Sequence, residues 1–412
     1  MFHAKFSAFI RVAEHLITHP FRTLPFIYFH KCTLGASGGL LAAETCRAGG
    51  LGFIAAGHLN TKDSMTELEE QINIFRQKSE ELSSTSNTTT KLPLAIGFIG
   101  HSTFGCDLGW ELFESVLQKH KPDVVQFFAP AIHHKSNNAG KTTNVQMAQT
   151  YGSLVMAQVG TFKDAMEAID AGVDCIIAQG SEAGGHGVQR GLGNGTLSLT
   201  SRLVKICQEL SDGDLTQAKK QKANHGDPTT STNEAPVVLA AGGISDGRAV
   251  AAALSLGADG VVIGTRLWAT NESLGPLKYK QALVDAKSCD DAVRTRVFDS
   301  IYNSYRKLQW PEPYDSSGVL RNKVTERWEN NVTELIEVLV RDEMTDIPNA
   351  VEIISQHRQA IEDDDVTVAP VYSGQGVGEI LSIEPAYTVV DRIGLDAMTT
   401  LQELHKNVLV SD

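Results

Sequence analysis

The sequence has few cysteines, no long apolar run and no cluster of positive charge, and each shortage excludes a class of protein. Its six cysteines are scattered without CxxC spacing, which argues against a structural zinc site and fits a reducing compartment. No apolar run approaches the roughly 20 residues that cross a bilayer. The formal net charge is −13 and no dense Lys/Arg stretch occurs, as is typical of proteins that do not bind nucleic acid. We therefore predict no metal site, no membrane partner and no nucleic-acid partner.

Residues 1–30 are rich in histidine and aromatic side chains, and Glu14 is their one acidic residue. They lack an apolar core followed by a cleavage site, so they do not show the pattern of a secretory signal. A cytoplasmic location is the prediction, with organelle targeting left open. A chain of 412 residues has room for one large α/β domain and a smaller addition.

The most informative stretch is 173–191, with the sequence VDCIIAQGSEAGGHGVQRG. Its first residues form a short apolar run that ends at Gln179, typical of a strand buried on both faces. Five glycines follow, and His186 lies among them as the one side chain that titrates near neutral pH. Such a segment favours close contact between backbone and a flat or charged ligand. A flexible surface loop is the alternative interpretation.

Strand-like and helix-like segments alternate between residues 34 and 274. Eight such units with right-handed crossovers predict an α/β fold, a (β/α)8 TIM barrel with its ligand at the carboxyl ends of the strands. A doubly wound open sheet is the alternative. The predicted strands begin near residues 34, 51, 92, 124, 154, 173, 237 and 260.

Two glycine turns follow the last two predicted strands. Gly242 and Gly243 come after the seventh strand, and Gly264 and Thr265 come after the eighth. Such turns bring backbone N–H groups and the positive end of a helix to one point, an arrangement that binds phosphate. TIM barrels commonly hold phosphate after these two strands, which favours the barrel over the open sheet.

The pattern changes near residue 275 from alternating units to helices. We divide the chain into an atypical amino-terminal segment (1–33), a ligand-binding barrel (34–274), and a helical subdomain (275–412) that includes a carboxyl-terminal return segment. The glycines of this return segment, VYSGQGVG at 371–378, predict a turn that folds back over the site. Helices are predicted at 276–287, 291–298, 324–342 and 349–361.

Four motifs stand out in combination: GASGGLLAAETCRAGGLGFI at 35–54, QGSEAGGHG at 179–187, AAGGISDGRAVAAALSLGADGVVIGTR at 240–266, and SGQGVGEI at 373–380. Together they resemble the nitronate monooxygenase family, also called 2-nitropropane dioxygenases. The resemblance implies a TIM barrel with non-covalently bound FMN. It also implies that small-molecule alkyl nitronates or nitroalkanes are oxidised by O2 to carbonyl compounds and nitrite. We expect a monomer or a homodimer.

The resemblance also implies roles for individual residues. His186 matches the family's proposed general base. The first strand departs from the family pattern, because Cys32, Thr33 and Leu34 stand where a Pro-Met pair usually faces the flavin. The residues implied to contact FMN, or to lie beside those that do, are Gln179, Gly180 and Gly184 in the first turn, and Gly242, Gly243, Gly264 and Thr265 around the phosphate.

Several side chains near these motifs carry weaker hypotheses. Glu182 either orients His186 or is a solvated loop carboxylate. Ser181 is not expected to be a nucleophile, since no Asp–His pairing at triad spacing accompanies it. His133 and His134 are predicted to be solvated.

Three alternative functions remain open from the sequence. The barrel could be an FMN-dependent NAD(P)H oxidoreductase that acts on quinones or enoyl thioesters. It could be a flavin-free barrel enzyme of the phosphosugar type. It could also be a non-catalytic FMN-binding barrel, because the first strand is altered.

Overall fold

A computed structural model describes residues 26–29, 36–85, 91–129, 132, 134–135, 142–211, 235–306, 309–340 and 350–409. Eight parallel strands close into a barrel, which confirms the predicted (β/α)8 class. Their order around the barrel follows the chain, as right-handed crossovers between neighbouring strands require. The barrel strands are β1 (Phe26–Phe29), β2 (Leu51–Gly57), β3 (Ala95–Ile99), β4 (Val124–Phe128), β5 (Leu154–Val159), β6 (Cys175–Gln179), β8 (Val237–Ala241) and β9 (Gly260–Ile263).

The barrel strands form where apolar residues occupy consecutive positions rather than alternate ones. All five residues of β3, of β4 and of β6 are buried, as expected for strands with the barrel interior on one face and helices on the other. Met156, Ile177 and Leu239 belong to a cluster that draws residues from successive strands and fills the interior. Phe98 and Phe113 belong to a second cluster, which joins strands to the outer helices.

The helices of the barrel begin where the sequence offers a capping side chain. Asp246 Oδ1 accepts a hydrogen bond from the Ala249 backbone N–H at 2.8 Å, and Thr161 Oγ1 accepts one from Asp164 at 3.1 Å. These contacts replace bonds that the first turn of a helix cannot make internally. The helices are α1 (Gly39–Arg47), α2 (Lys62–Thr85), α3 (Gly100–Thr103), α4 (Asp107–His120), α5 (Asn144–Thr150), α6 (Phe162–Asp170), α7 (Thr196–Ser211), α8 (Gly247–Ser255) and α9 (Thr265–Trp268).

The first barrel strand lies closer to the amino terminus than predicted. The sequence pattern places it near Leu34, whereas β1 pairs through Phe26 to Phe29 with β9 and also contacts β2. The strand lies in a segment rich in aromatic residues, and His30 and Lys31 follow it rather than the glycine turn that marks most other strand ends. Cys32, Thr33 and Leu34 lie outside the described residues.

A small antiparallel sheet lies beside the barrel, and the sequence pattern does not predict it. Strand β10 (Ala292–Thr295) pairs with β11 (Ser316–Leu320), which pairs in turn with β7 (Gly185–Gly187) from the loop after β6. The prediction of a helix at 291–298 is therefore wrong, because most of this segment forms β10 and a helix begins only at Val297. Pairing with a distant part of the chain has overridden a weak local preference.

The remaining helices of the C-terminal region pack against one another and against the barrel. In place of the one helix predicted at 324–342, the structure has two helices, α12 (Lys323–Trp328) and α13 (Val332–Val340). Val389 and Ile393 of the last helix share a core cluster with Val250 and Ala253 of α8. The domain boundaries at residues 33 and 274 stay a prediction. These helices are α10 (Leu277–Asp285), α11 (Val297–Tyr305), α12 (Lys323–Trp328), α13 (Val332–Val340), α14 (Ala350–Glu362) and α15 (Ala386–Leu409).

No helix within the described ranges combines the length and the apolar character that crossing a membrane requires.

Candidate active site

A cavity of about 290 Å³ lies at the carboxyl ends of the barrel strands. Its wall combines residues from the strand ends with residues from α11 and the return segment. Gly180 is the one predicted site residue that does not line this cavity, and it packs against Thr196. The predicted site residues that line the cavity are Gln179, Gly184, His186, Gly242, Gly243, Gly264 and Thr265.

His186 lies on β7, so the segment that the sequence suggests as a loop is a strand of the small sheet. Its backbone is opposite Ser317 of β11, and its carbonyl oxygen accepts a hydrogen bond from Gln179 Nε2 at 2.9 Å. Its imidazole stacks on Trp310, with ring centroids 3.8 Å apart and an angle of 14° between the rings. Backbone pairing and ring stacking together fix the position of the imidazole on the cavity wall.

The imidazole of His186 is paired with the carboxylate of Asp299. His186 Nε2 lies 2.6 Å from Asp299 Oδ1, and the two side chains are 10% and 4% exposed. Asp299 comes from the first turn of α11, and its Oδ2 accepts a hydrogen bond from Ser317 Oγ at 3.2 Å. A buried carboxylate with hydrogen bonds to both oxygens is held in one orientation. The pair therefore has the geometry of a general base and its orienting partner.

Glu182 does not orient His186, and it is not a solvated carboxylate either. Its two carboxylate oxygens accept hydrogen bonds from the backbone N–H of Thr196 at 3.1 and 2.9 Å, and Oε2 also accepts one from Thr196 Oγ1. Thr196 begins α7, so Glu182 caps that helix and ties it to the loop after β6. Ser181 is exposed, and its hydroxyl lies 3.3 Å from Glu182 Oε2.

Arg294 of β10 binds the glycine-rich segment through backbone carbonyl oxygens. Its guanidinium donates to the carbonyl oxygens of Ser181 at 3.1 Å, Ala183 at 2.6 Å and Gly185 at 3.4 Å, and also to Ser316. Burial lowers the pKa of Arg294 to about 10, and the negative charges of nearby acids partly oppose that shift. A planar group with five donors can satisfy several carbonyls at once, so Arg294 determines the shape of this segment.

The return segment closes over the two glycine turns, as its sequence predicts. The Gly374 N–H donates to Thr265 Oγ1 at 2.9 Å, and the Gln375 N–H donates to the Glu182 carbonyl oxygen at 2.9 Å. Gly242 and Gly243 have φ values of +118° and +71°, which side chains rarely adopt. The two hydrogen bonds join the return segment to residues 182 and 265, which are far apart in sequence.

Gln179 has an unsatisfied polar atom at the cavity. Its Nε2 donates to the His186 carbonyl, which identifies the other terminal atom as oxygen. That atom, Oε1, is buried and has no partner among the described residues. A buried acceptor without a partner is costly, so this oxygen is available to a donor on a bound ligand.

Two further histidines lie near Trp310, the ring on which His186 stacks. His58 and His101 lie edge-on or tilted to Trp310, with ring centroids 5.7 and 4.8 Å from it. Burial lowers the pKa of His58 to about 3, and nearby positive charges contribute to that shift, so His58 is neutral at pH 7. Its Nδ1 lies 2.6 Å from Ser102 Oγ.

The sequence motifs miss Asp299, Arg294 and Trp310. These residues lie in the C-terminal region, where no glycine turn or strand end draws attention to them. Asp299 and His186 are separated by 113 positions along the chain, so no local spacing relates them. His134 is exposed, as predicted, whereas His133 lies outside the described residues. In the described part of the chain, no three His, Cys, Asp or Glu side chains converge in a way that suits a metal ion.

A closed barrel with a histidine–aspartate pair at the carboxyl ends of its strands defines a TIM-barrel enzyme. The family model described as nitronate monooxygenase matches residues 20–394. The chain belongs to the nitronate monooxygenase family, and it is an oxidoreductase.

A named relative supports the family assignment, and two solved structures share the fold. The nitronate monooxygenase of Neurospora crassa is 29% identical over 375 residues, which cover 89% of this chain and 87% of the relative. FabK from Thermotoga maritima has the same fold, with a TM-score of 0.63, 24% identity and coverage of 97% and 99% of the two chains. The nitroalkane oxidase from Streptomyces ansochromogenes has a TM-score of 0.62, 22% identity and coverage of 92% and 98%.

Proposed function

We propose that this protein uses FMN to oxidise alkyl nitronates, or nitroalkanes, with O2 to carbonyl compounds and nitrite. The observation that carries the proposal is the His186–Asp299 pair on the wall of the barrel cavity, since a carbon acid such as a nitroalkane needs a base to become a nitronate. Membership of the nitronate monooxygenase family supports the reaction class.

The cavity fits a flavin in two respects. The unpartnered Oε1 of Gln179 suits a donor such as a flavin ring N–H. Gly242 and Gly243 line the cavity with positive φ values, a backbone conformation whose N–H groups can bind a phosphate. When bound, FMN would accept electrons from the nitronate and pass them to O2. The residues proposed to hold FMN are Gln179, Gly184, Gly242, Gly243, Gly264 and Thr265, and Gly180 supports them from behind the wall.

The chain's own residues bind and orient the substrate. His186 accepts a proton from the carbon next to the nitro group of a neutral nitroalkane. When protonated, it donates a charge-assisted hydrogen bond to the nitro oxygens of an anionic nitronate. Ile99, Phe128 and Val262 on the same wall provide apolar contacts for the alkyl chain and exclude water from it.

The proposal is tested by mixing the FMN-loaded protein with propyl-2-nitronate in air and measuring nitrite and acetone. We expect both products in equal amounts, and none when FMN is omitted. Turnover of NAD(P)H with quinones but none with the nitronate would instead assign the NAD(P)H oxidoreductase function. Bound FMN without either activity would indicate a non-catalytic barrel. We also propose that the protein is cytoplasmic and acts as a monomer or homodimer.

A further inference from the structure

We propose that Asp299 is a positioning residue that keeps Nε2 of His186 protonated, so that Nδ1 is the nitrogen that exchanges a proton with the substrate. This inference rests on the proposed function for its substrate, but the geometry of the pair stands without it. His186 Nε2 lies 2.6 Å from Asp299 Oδ1, and His186 is the member of the pair that also stacks on Trp310.

The hydrogen bonds of Asp299 determine which nitrogen carries the proton. An ionised carboxylate only accepts hydrogen bonds, so Nε2 must donate. Ser317 Oγ donates to the second carboxylate oxygen at 3.2 Å and prevents the carboxylate from turning away. Asp299 is 3% exposed, so bulk water does not compete for it.

The two halves of the pair are held by separate parts of the fold. His186 is fixed by its pairing with β11 and by the bond from Gln179 to its carbonyl oxygen. Asp299 is fixed by α11, which follows β10 directly. A half-turn of the ring would put Cε1 in the place of Nε2 and so break the contact with Asp299, and the stacking on Trp310 at 3.8 Å opposes that rotation. With Nε2 occupied, Nδ1 is the free nitrogen of a ring that lines the cavity.

In the proposed step, one proton moves from the substrate to His186. The bond between the substrate carbon and its hydrogen breaks, and the proton moves to Nδ1 of His186. The electron pair of that bond stays with the substrate, delocalised from carbon onto the nitro oxygens. The imidazolium that forms is paired with the Asp299 carboxylate, which stabilises the charge without taking a proton.

Several other titratable or charged groups lie around this imidazole. Asp299 and Tyr302 are on α11, and Arg306 directly follows that helix. Arg294 is on β10 and Tyr372 is on the return segment. His58 and His101 lie near Trp310. Asp299 is the negative group in direct contact, so its removal has the largest expected effect.

The assignment is tested by ¹⁵N NMR of the histidine side chains in the full-length protein as purified, with the His186 signals identified by their loss in His186→Asn. We expect a neutral imidazole with a protonated Nε2 and a bare Nδ1. A protonated Nδ1 with a bare Nε2 would overturn the proposal.

Variants provide a second measurement, which would stay unchanged if Asp299 only stabilised the fold. Asp299→Asn keeps the shape and removes the charge, and an amide can donate as well as accept, so we expect the ¹⁵N signals of His186 no longer to show a single tautomer protonated at Nε2. Asp315→Asn is the matched control, because Asp315 is another buried carboxylate of this region but contacts Gln189 and Arg296 instead. ¹⁵N signals of His186 that Asp299→Asn leaves unchanged would contradict the inference.

Kinetics separate this inference from the proposed function. In Asp299→Asn we expect kcat for a neutral nitroalkane to fall by about 10²-fold or more, with KM nearly unchanged and the acid limb of the pH profile moved to lower pH. If the parent protein oxidises no nitronate but the ¹⁵N result holds, the proposed function fails and the pairing stands. If nitronate is oxidised but Nδ1 carries the proton, the proposed function stands and the inference about Asp299 fails.

Discussion

Gly184 lies so close to Gly374 that a β-carbon on Gly184 would be 2.5 Å from the Gly374 nitrogen. Gly184 belongs to the segment that carries His186, and Gly374 belongs to the return segment that closes over the glycine turns. The contact is between two backbones, so neither side can move a flexible side chain out of the way. The lack of a side chain at Gly184 is therefore what lets the return segment reach its place on the cavity wall.

Gly184→Ala should displace the return segment. Overpacking of this kind costs about 1–3 kcal/mol in the free energy of unfolding, and we expect FMN to be lost on desalting. Gly195→Ala is the control, because the nearest atoms to a β-carbon there are side-chain oxygens at 3.3 and 3.6 Å. Urea unfolding and flavin absorbance after desalting measure both effects. Equal stability and equal flavin retention in the two variants would contradict the close-packing argument.

Arg294→Met should loosen the glycine-rich segment. The substitution keeps an apolar stem but leaves the carbonyl oxygens of Ser181, Ala183 and Gly185 without their donor, at a cost of about 3 kcal/mol or more in the free energy of unfolding. Arg248→Met is the comparison, because its ion pairs are on the surface and its side chain is 70% exposed, so less than about 1 kcal/mol is expected. Chemical unfolding at pH 7.5 distinguishes the two.

His357 should make the fold less stable in acid. It is 2% exposed, its ring nitrogens have no hydrogen-bond partner among the described residues, and burial lowers its pKa to about 4, with the charge of Arg306 a smaller cause. The unfolded chain binds a proton near pH 6.5, so stability is full above that pH and is lost as the pH falls toward 4. Between pH 7.5 and 5.0 this group should account for about 2 kcal/mol of lost stability.

His357→Phe tests how much of the loss of stability in acid is due to His357. A phenyl ring suits the site, because the imidazole already lies 5.7 Å from the ring of Phe298 and 4.8 Å from that of Tyr302. The variant should be less sensitive to acid than the parent, although His58 keeps its own contribution of the same sign. Urea unfolding at the two pH values measures the difference, and an unchanged pH dependence would remove His357 as its source.

His186→Asn should slow the reaction of neutral nitroalkanes far more than that of preformed nitronates. A general base contributes roughly 10²–10⁴-fold to the rate, and a nitronate has already lost the proton that the base would take. The amide still donates a hydrogen bond to the nitro group, so binding of the anion should survive. Steady-state oxygen consumption with 2-nitropropane and with propyl-2-nitronate gives the two values of kcat/KM. Equal losses on both forms would exclude His186 as the base.

The sequence predicts the barrel well because its signals are local. The barrel strands are short, mainly apolar runs of four to seven residues, and β4, β5 and β9 begin where the sequence predicts. The glycine turns at 242–243 and 264–265 indicate the cavity for the same reason. The glycines and capping residues that form these features lie within a few positions of the strand ends.

The sequence does not predict the residues that complete the site, because they depend on long-range contacts. Asp299 is an ordinary acidic residue in a helix until α11 brings it 2.6 Å from His186. Arg294 is in a four-residue strand, and its buried guanidinium is stabilised by hydrogen bonds to the carbonyl oxygens of a distant loop. A charged residue of this kind disrupts the apolar pattern that would otherwise mark a strand. For β1, the missing signal is a glycine turn, since His30 and Lys31 follow the strand instead.

The most direct test of the central claim is anaerobic addition of propyl-2-nitronate to the protein after it has been loaded with FMN and desalted. We expect FMN to be retained, its visible absorbance to be bleached by the nitronate, and nitrite to appear when air is admitted. Retained flavin that stays oxidised with the nitronate but is bleached by NAD(P)H would contradict the account, and so would a protein that retains no flavin.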